Sequence, residues 1–210
     1  MGKIKYISKI REFFKESPIV NIESLKKIIG NKKKDYVYLL INNLLKKKEI
    51  RRLTKGYYTI NDDPSLIVFC FKPSYLGLQN ALSFHNLWEQ ETNPVIVTTR
   101  NIRTGIREVF ERNVVVKKID KNYVFGFEYY KDGDFYLPYS DIEKTFIDMV
   151  YFRQHIDKET LKNIRKVANY KKLILYLKKY HPVFRKKVLM ILNNFKKFNK
   201  ASLRQSFKKP

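Results

Sequence analysis

Residues 21–60 read NIESLKKIIGNKKKDYVYLLINNLLKKKEIRRLTKGYYTI, and this stretch decides the fold of the N-terminal part. Asn21 is placed as a helix N-cap, because its short amide side chain can accept from the free N–H groups of a first turn. Ile22, Leu25, Ile28 and Ile29 then fall on one helical face. Gly30-Asn31 ends that helix with residues that tolerate the left-handed conformation. A further helix is predicted from about Lys33 to Lys48, burying Val37, Leu40, Ile41, Leu44 and Leu45. Gly30-Asn31-Lys32 is the tight joint between two such helices. Beyond them, Ile50-Arg51-Arg52-Leu53 and Tyr57-Tyr58-Thr59-Ile60 flank Thr54-Lys55-Gly56, which reads as strand, turn and strand. Upstream, Ile4, Ile7, Ile10, Phe13 and Phe14 recur at helical spacing and stop before Ser17-Pro18, since the residue preceding proline is pushed out of helical geometry. Three short helices followed by a basic hairpin predict a winged helix-turn-helix over residues 1–60.

The charge pattern supports separate duties along the chain. The 210 residues carry a net charge of +24, distributed as +11 over residues 1–60, −3 over 61–150 and +16 over 151–210. Self-repulsion at this charge disfavours compactness, so a polyanionic partner is expected; the plainer alternative is lysine that only coats solvated faces. At 44% hydrophobic the chain is too apolar to be disordered. The single cysteine, Cys70, excludes a disulfide scaffold and a cysteine-built zinc site. No uncharged apolar run approaches the ~20 residues of a membrane helix. Met1–Lys15 alternates Lys with Ile, Tyr and Phe and has no apolar signal core, so a cytoplasmic protein is expected.

Asn61-Asp62-Asp63-Pro64 reads as a linker, placed at 61–65. A central domain over 66–155 mixes elements. Leu66–Phe71 could be helix or strand. Leu76–Leu87 looks helical, and Val95–Thr98, Val114–Lys118, Tyr123–Tyr130 and Phe135–Leu137 look like strands, the last two joined by a turn at Lys131-Asp132-Gly133-Asp134. Asp141 should cap a helix with Ile142, Phe146, Met149 and Val150 on its inner face. Residues 156–198 read as basic helices forming a bundle, one of them opened by Pro182, and residues 199–210 as a disordered tail. The predicted class is α+β: a winged helix-turn-helix, a central mixed α/β domain with a small sheet, and a C-terminal basic helical bundle.

In a helix-turn-helix, the N-terminal end of the last helix enters the major groove of DNA. Here that end carries Lys32, Lys33 and Lys34, and the face opposite the apolar stripe offers Asp35, Tyr38 and Asn42. Asn can pair bidentately with adenine, while Lys suits guanine edges or phosphate. Arg51, Arg52, Lys55 and Tyr57 would line the wing. The candidate ligand is therefore double-stranded DNA, bound by a monomer or a homodimer, although winged helices also serve as protein-docking modules. Catalysis is not expected. His85, His155 and His181 lack metal-ligand spacing, and neither a Gly-rich phosphate loop nor a nucleophile turn is present. Gly133 makes Asp132 and Asp134 a turn rather than a metal-binding pair. Asp141, Glu143, Lys144 and Asp148 read as a capped, ion-paired helix start, because a nuclease pattern would need a spacer between Glu143 and Lys144. No cofactor or metal is implied.

Pro73-Ser74-Tyr75-Leu76-Gly77-Leu78 followed by Ala81-Leu82-Ser83-Phe84-His85-Asn86-Leu87 resembles the AbiEi family of antitoxin-type transcriptional regulators, which carries a Pro-Ser-Tyr-Ile-Ser stretch and an Ala-Leu…His-Gly-Leu helix. Val97-Thr98-Thr99-Arg100, Phe125-Gly126, the run Asp141–Asp148 and Tyr151 are similar to its later motifs, and Leu53–Tyr58 to the wing that closes its N-terminal domain. The resemblance spans about residues 1–155. Gly77, Asn86 and Ser140-Asp141-Ile142 depart from the family's Ser, Gly and Ala-Asp-Pro. The resemblance implies a non-enzymatic autorepressor that is also the antitoxin of a type IV toxin–antitoxin, or abortive-infection, system. Its partner would be a nucleotidyltransferase-like toxin, met through a motif surface at Tyr75, His85, Arg100, Glu143 and Lys144.

Overall fold

The structure is a computed structural model that describes residues 6–30 and 34–193, with the backbone alone described for Lys34. The expected disordered tail, 199–210, lies outside the described residues. The chain folds as mixed α+β with a three-stranded and a six-stranded sheet. Its described residues divide into two compact units, one drawn from within 1–76, 93–119 and 129–138, the other from within 77–92, 120–128 and 139–210.

The first unit begins with α1 (Ile7–Glu16), β1 (Val20–Asn21), α2 (Ile22–Ile29), α3 (Lys34–Lys46), β2 (Arg51–Thr54) and β3 (Tyr57–Thr59). Helices of this length are marginal alone in water. They are held by a shared core of Ile10, Phe14, Val20, Leu25, Ile29, Val37, Leu40, Ile41, Leu44, Ile50 and Tyr58. Each such side chain contributes about 2 kcal/mol by leaving water, far more than helix propensity can. The Asn21 cap accepts from the backbone of Ser24 at 2.8 Å, and Gly30 ends α2 at φ 87°. β1, β3 and β2 form the antiparallel sheet in that order, a strand more than the sequence pattern foretells. Two residues are too few for period-2 alternation to show.

The same unit continues with a 3-10 turn over Pro64–Phe71, then β4 (Ser74–Leu76), β5 (Val95–Thr98), β6 (Gly105–Val109) and β7 (Arg112–Lys118), which belong with β8 (Phe127–Asp132) and β9 (Phe135–Ser140) to a sheet of order β6-β7-β5-β4-β9-β8. β5 and β7 are parallel, and β6 folds back on β7 through Phe110 and Glu111, both at positive φ, as the twist of a two-residue hairpin demands. Arg51 stacks on the Phe110 ring 4.7 Å from its centroid and pairs with Asp62, which also meets Arg112 at 3.2 Å.

The second unit holds α4 (Leu78–Phe84), α5 (Ile142–Tyr151), α6 (Lys158–Val167), α7 (Tyr170–Leu177) and α8, a helix over 182–193. Asp141, Asp157 and Asn169 cap α5, α6 and α7 by accepting from Lys144, Thr160 and Lys172 backbones. α5 has no solvent face: every residue from Glu143 to Val150 is buried. Two expectations are corrected here. The helix expected over Leu76–Leu87 spans only Leu78–Phe84, and Leu76 sits in a strand. Tyr123–Tyr130 is not one strand, because Tyr123 stacks on Tyr180 at 4.1 Å and Gly126 turns the chain at φ 67° before β8 begins.

Candidate nucleic-acid interface

The core stripe of α3, Val37, Leu40, Ile41 and Leu44, fixes what the other side of the helix presents. Asp35, Tyr38, Leu39, Asn42 and Lys46 face solvent, with Tyr38 47% and Leu39 55% exposed. Tyr38 and Asn42 lie one turn apart on this face, so a hydroxyl and an amide can address one ligand edge together. Asp35 stands in the first turn, where the helix dipole favours a carboxylate. Lys32 and Lys33 lie outside the described residues, and Lys34 is the first residue of α3.

The adjoining hairpin turns at Lys55-Gly56, with Gly56 at φ 81°. Arg52 and Lys55 are exposed and, among the described residues, in no ion pair. Arg51 differs: its guanidinium is engaged by Asp62 and Phe110, so it braces the ribbon instead of extending from it. Tyr57 is half-buried, paired across the sheet with Asn21. On α2, Lys26 sits 6.0 Å over the Tyr38 ring, and its hydrogen bond from Nζ to Glu23 holds the ammonium above its ordinary value. Elsewhere in this block Arg11 donates to Glu49 at 2.7 and 2.8 Å, an exposed pair that salt screens and that contributes little.

The five residues expected to form an antitoxin surface are not all on a surface. Tyr75, Glu143 and Lys144 are buried, and this part of the expectation is corrected. Tyr75 is enclosed in β4. Glu143 accepts from the Asn169 backbone at 2.5 Å and lies 3.8 Å from Lys172. Lys144 pairs with Asp148 and reaches the Tyr180 hydroxyl at 3.4 Å; burial pulls its ammonium below the usual value, against the charge of Asp148. His85 donates or accepts at Nε2, and with the Ser140 carbonyl at 2.8 Å as partner it donates. Arg100 is exposed yet anchored, donating to the Cys70 carbonyl at 3.0 Å. Burial pushes the Cys70 thiol up to about 12, which leaves it inert at neutral pH.

Sequence reasoning missed the partners of this buried set. Asp141 accepts from the Tyr176 hydroxyl at 2.7 Å and from Lys172 at 3.0 Å. Burial works against the charge of Lys172, yet its hydrogen bond to Asp141 keeps the ammonium above its ordinary value, while burial raises Tyr176 and Tyr180. These groups lie 26–36 residues downstream, where no local pattern points to them. Among the described residues no group of His, Cys, Asp and Glu could hold a metal ion, and no helix is long and apolar enough to cross a membrane. No family model matches this chain, and no curated protein does either.

Proposed function

We propose that the chain is a DNA-binding transcriptional regulator whose residues 1–60 act as a winged helix-turn-helix on duplex operator DNA. The observation that carries this reading is the pairing of two exposed features: the Tyr38–Asn42 face of α3, and the Arg52–Lys55 tip of the neighbouring hairpin. A helix face of this size fits the major groove, where Asn42 can read adenine bidentately. The hairpin cations then meet backbone phosphate, which positions the protein without reading sequence. The net charge of +11 over these residues supplies the long-range attraction.

The test is binding to the DNA upstream of its own gene and to a scrambled duplex across a salt series. Affinity for the upstream DNA falls with salt, at roughly −0.9 in log–log slope per phosphate contacted. Asn42→Ala and Tyr38→Ala relax sequence preference. Arg52→Gln and Lys55→Gln weaken both duplexes alike, each reducing the slope by about 1. Arg51→Gln, already committed to Asp62, changes the slope least. Equal affinity for both duplexes at every salt concentration would remove the specific regulator and leave a phosphate-gripping protein.

The AbiEi resemblance extends the proposal to autorepression and to an antitoxin role in a type IV system, with a nucleotidyltransferase-like toxin as the second partner. Co-expression with such a toxin from the neighbouring reading frame checks it: growth is restored by the full chain. A stand-alone regulator is the second reading. It is favoured by the burial of Tyr75, Glu143 and Lys144, motif residues whose packing alone accounts for their presence.

A further inference from the structure

Where α5 ends, the second unit forms a cavity of about 260 Å³ with Val150, Ile156 and Ile191 as its apolar floor. Arg153, His155 and Lys187 stand around it, and no carboxylate lines it. Three other cations of this unit are committed, Lys144 to Asp148, Lys172 to Asp141, and Arg185 to the Tyr180 carbonyl at 2.7 Å, whereas exposed lysines such as Lys171 and Lys186 stand in solvent without an ion pair among the described residues. Among the described residues the side chains of Arg153, His155 and Lys187 have no such partner. Arg153, His155 and Lys187 are all solvent-exposed, so the cavity opens to water with two cations and an imidazole at its rim.

The place of Arg153 in the chain is set by the end of α5. It closes α5 at φ 54°, with the Gln154 backbone donating to the Met149 carbonyl at 2.8 Å and the Arg153 backbone to that of Val150 at 3.2 Å. Chains commonly place glycine at this left-handed position, because a side chain is strained there. Arg153 stands there, as Lys48 does at φ 55° after α3, and it lines the cavity.

We propose that this cavity binds a phosphate group. Arg153 offers paired N–H donors matched to two oxygens, Lys187 a point charge, and His155 a further ring donor. The apolar floor takes the carbon portion of a phosphate ester. The phosphate could belong to a free monoester or to the backbone of a nucleic acid, and the experiment separates the two. The proposal stands apart from the duplex-reading role of residues 1–60.

The test uses the full chain with two probes, inorganic phosphate by calorimetry and a short duplex by fluorescence anisotropy. Arg153→Gly and Lys187→Gln each weaken phosphate binding roughly five- to tenfold, the scale of one charge-assisted hydrogen bond. Lys171→Gln removes the same charge from an exposed position on α7 and changes it less than about twofold. Arg153→Gly also raises the melting temperature by roughly 2–4 °C, since glycine accepts this conformation freely. For a free monoester, both variants leave duplex affinity unchanged; for a backbone phosphate, each lowers the salt slope for the duplex by about 1. The proposal is overturned if both variants match Lys171→Gln with both probes, or if Arg153→Gly lowers the melting temperature, which would make the arginine a packing residue.

Discussion

Lys144 and Asp148 show what a single buried charge demands. Both side chains are wholly removed from solvent, beneath the Phe125 ring and beside Tyr180. Burying an ion pair is at best neutral against an apolar pair of similar volume, but removing one member leaves a charge with no water to solvate it. Lys144→Met alone therefore costs about 3–5 kcal/mol. Adding Asp148→Leu recovers more than half of that loss, as chemical denaturation of both variants will show; a double variant as unstable as the single would mean that the pair itself supplies the stability. Gly126 belongs to the same arrangement. A Cβ there would stand 2.9 Å from Lys144 Cβ and from the Tyr176 ring, so the loop can lie on the lysine only because this residue has no side chain.

Helix caps decide behaviour one level up, and two of them respond differently to acid. Asn21 caps α2 with an amide that does not titrate. Asp157 caps α6 with a carboxylate that the Thr160 hydroxyl, and then the Thr160 N–H, hold below its ordinary range. The unfolded chain thus binds that proton more readily, and the cap's contribution is complete above about pH 4 and is lost as pH falls through the depressed folded value. Asn21→Ala lowers stability by about 1 kcal/mol at every pH, whereas Asp157→Ala does so near neutrality and ceases to matter in acid. Thermal melts between neutral and acidic pH distinguish the two. The Asn21 cap was legible in the sequence, as were the Asp141 cap of α5, the core stripe of α3 and the hairpin after it, because capping and helical periodicity are local; the Asp157 cap was not read. β4 and β6 were not. β4 is buried throughout, so its residues do not alternate, while β6 is mostly exposed and carries Arg107 and Glu108, giving little apolar signal. The Glu143–Lys144 face of α5 misled for the opposite reason: charge suggested a surface, but Glu143 is met by Lys172 of α7, and Lys144 pairs within α5 with Asp148 under the cover of Tyr180. Of the candidate interface, Tyr38, Asn42, Arg52 and Lys55 were legible as exposed polar positions. The withdrawal of Arg51 was not, since Phe110 and Arg112 lie far along the chain.

Across the whole molecule, a net charge of +24 on 210 residues sets two responses to salt in opposition. Screening shortens from ~30 Å in 0.01 M salt to ~8 Å in 0.15 M, which relieves repulsion within the folded chain. The melting temperature should rise across that range while duplex affinity falls; a melting temperature that drops with salt would show that exposed pairs such as Arg11–Glu49 outweigh the repulsion. The hairpin between β2 and β3 carries one more consequence. Its far strand is already paired with β1, and the Gly56 carbonyl accepts from Ile22 at 2.9 Å, so the tip is tied to the start of α2. Whatever docks there meets a finger set in place during folding: complex formation forfeits little chain freedom, and association is governed by encounter rather than by rearrangement.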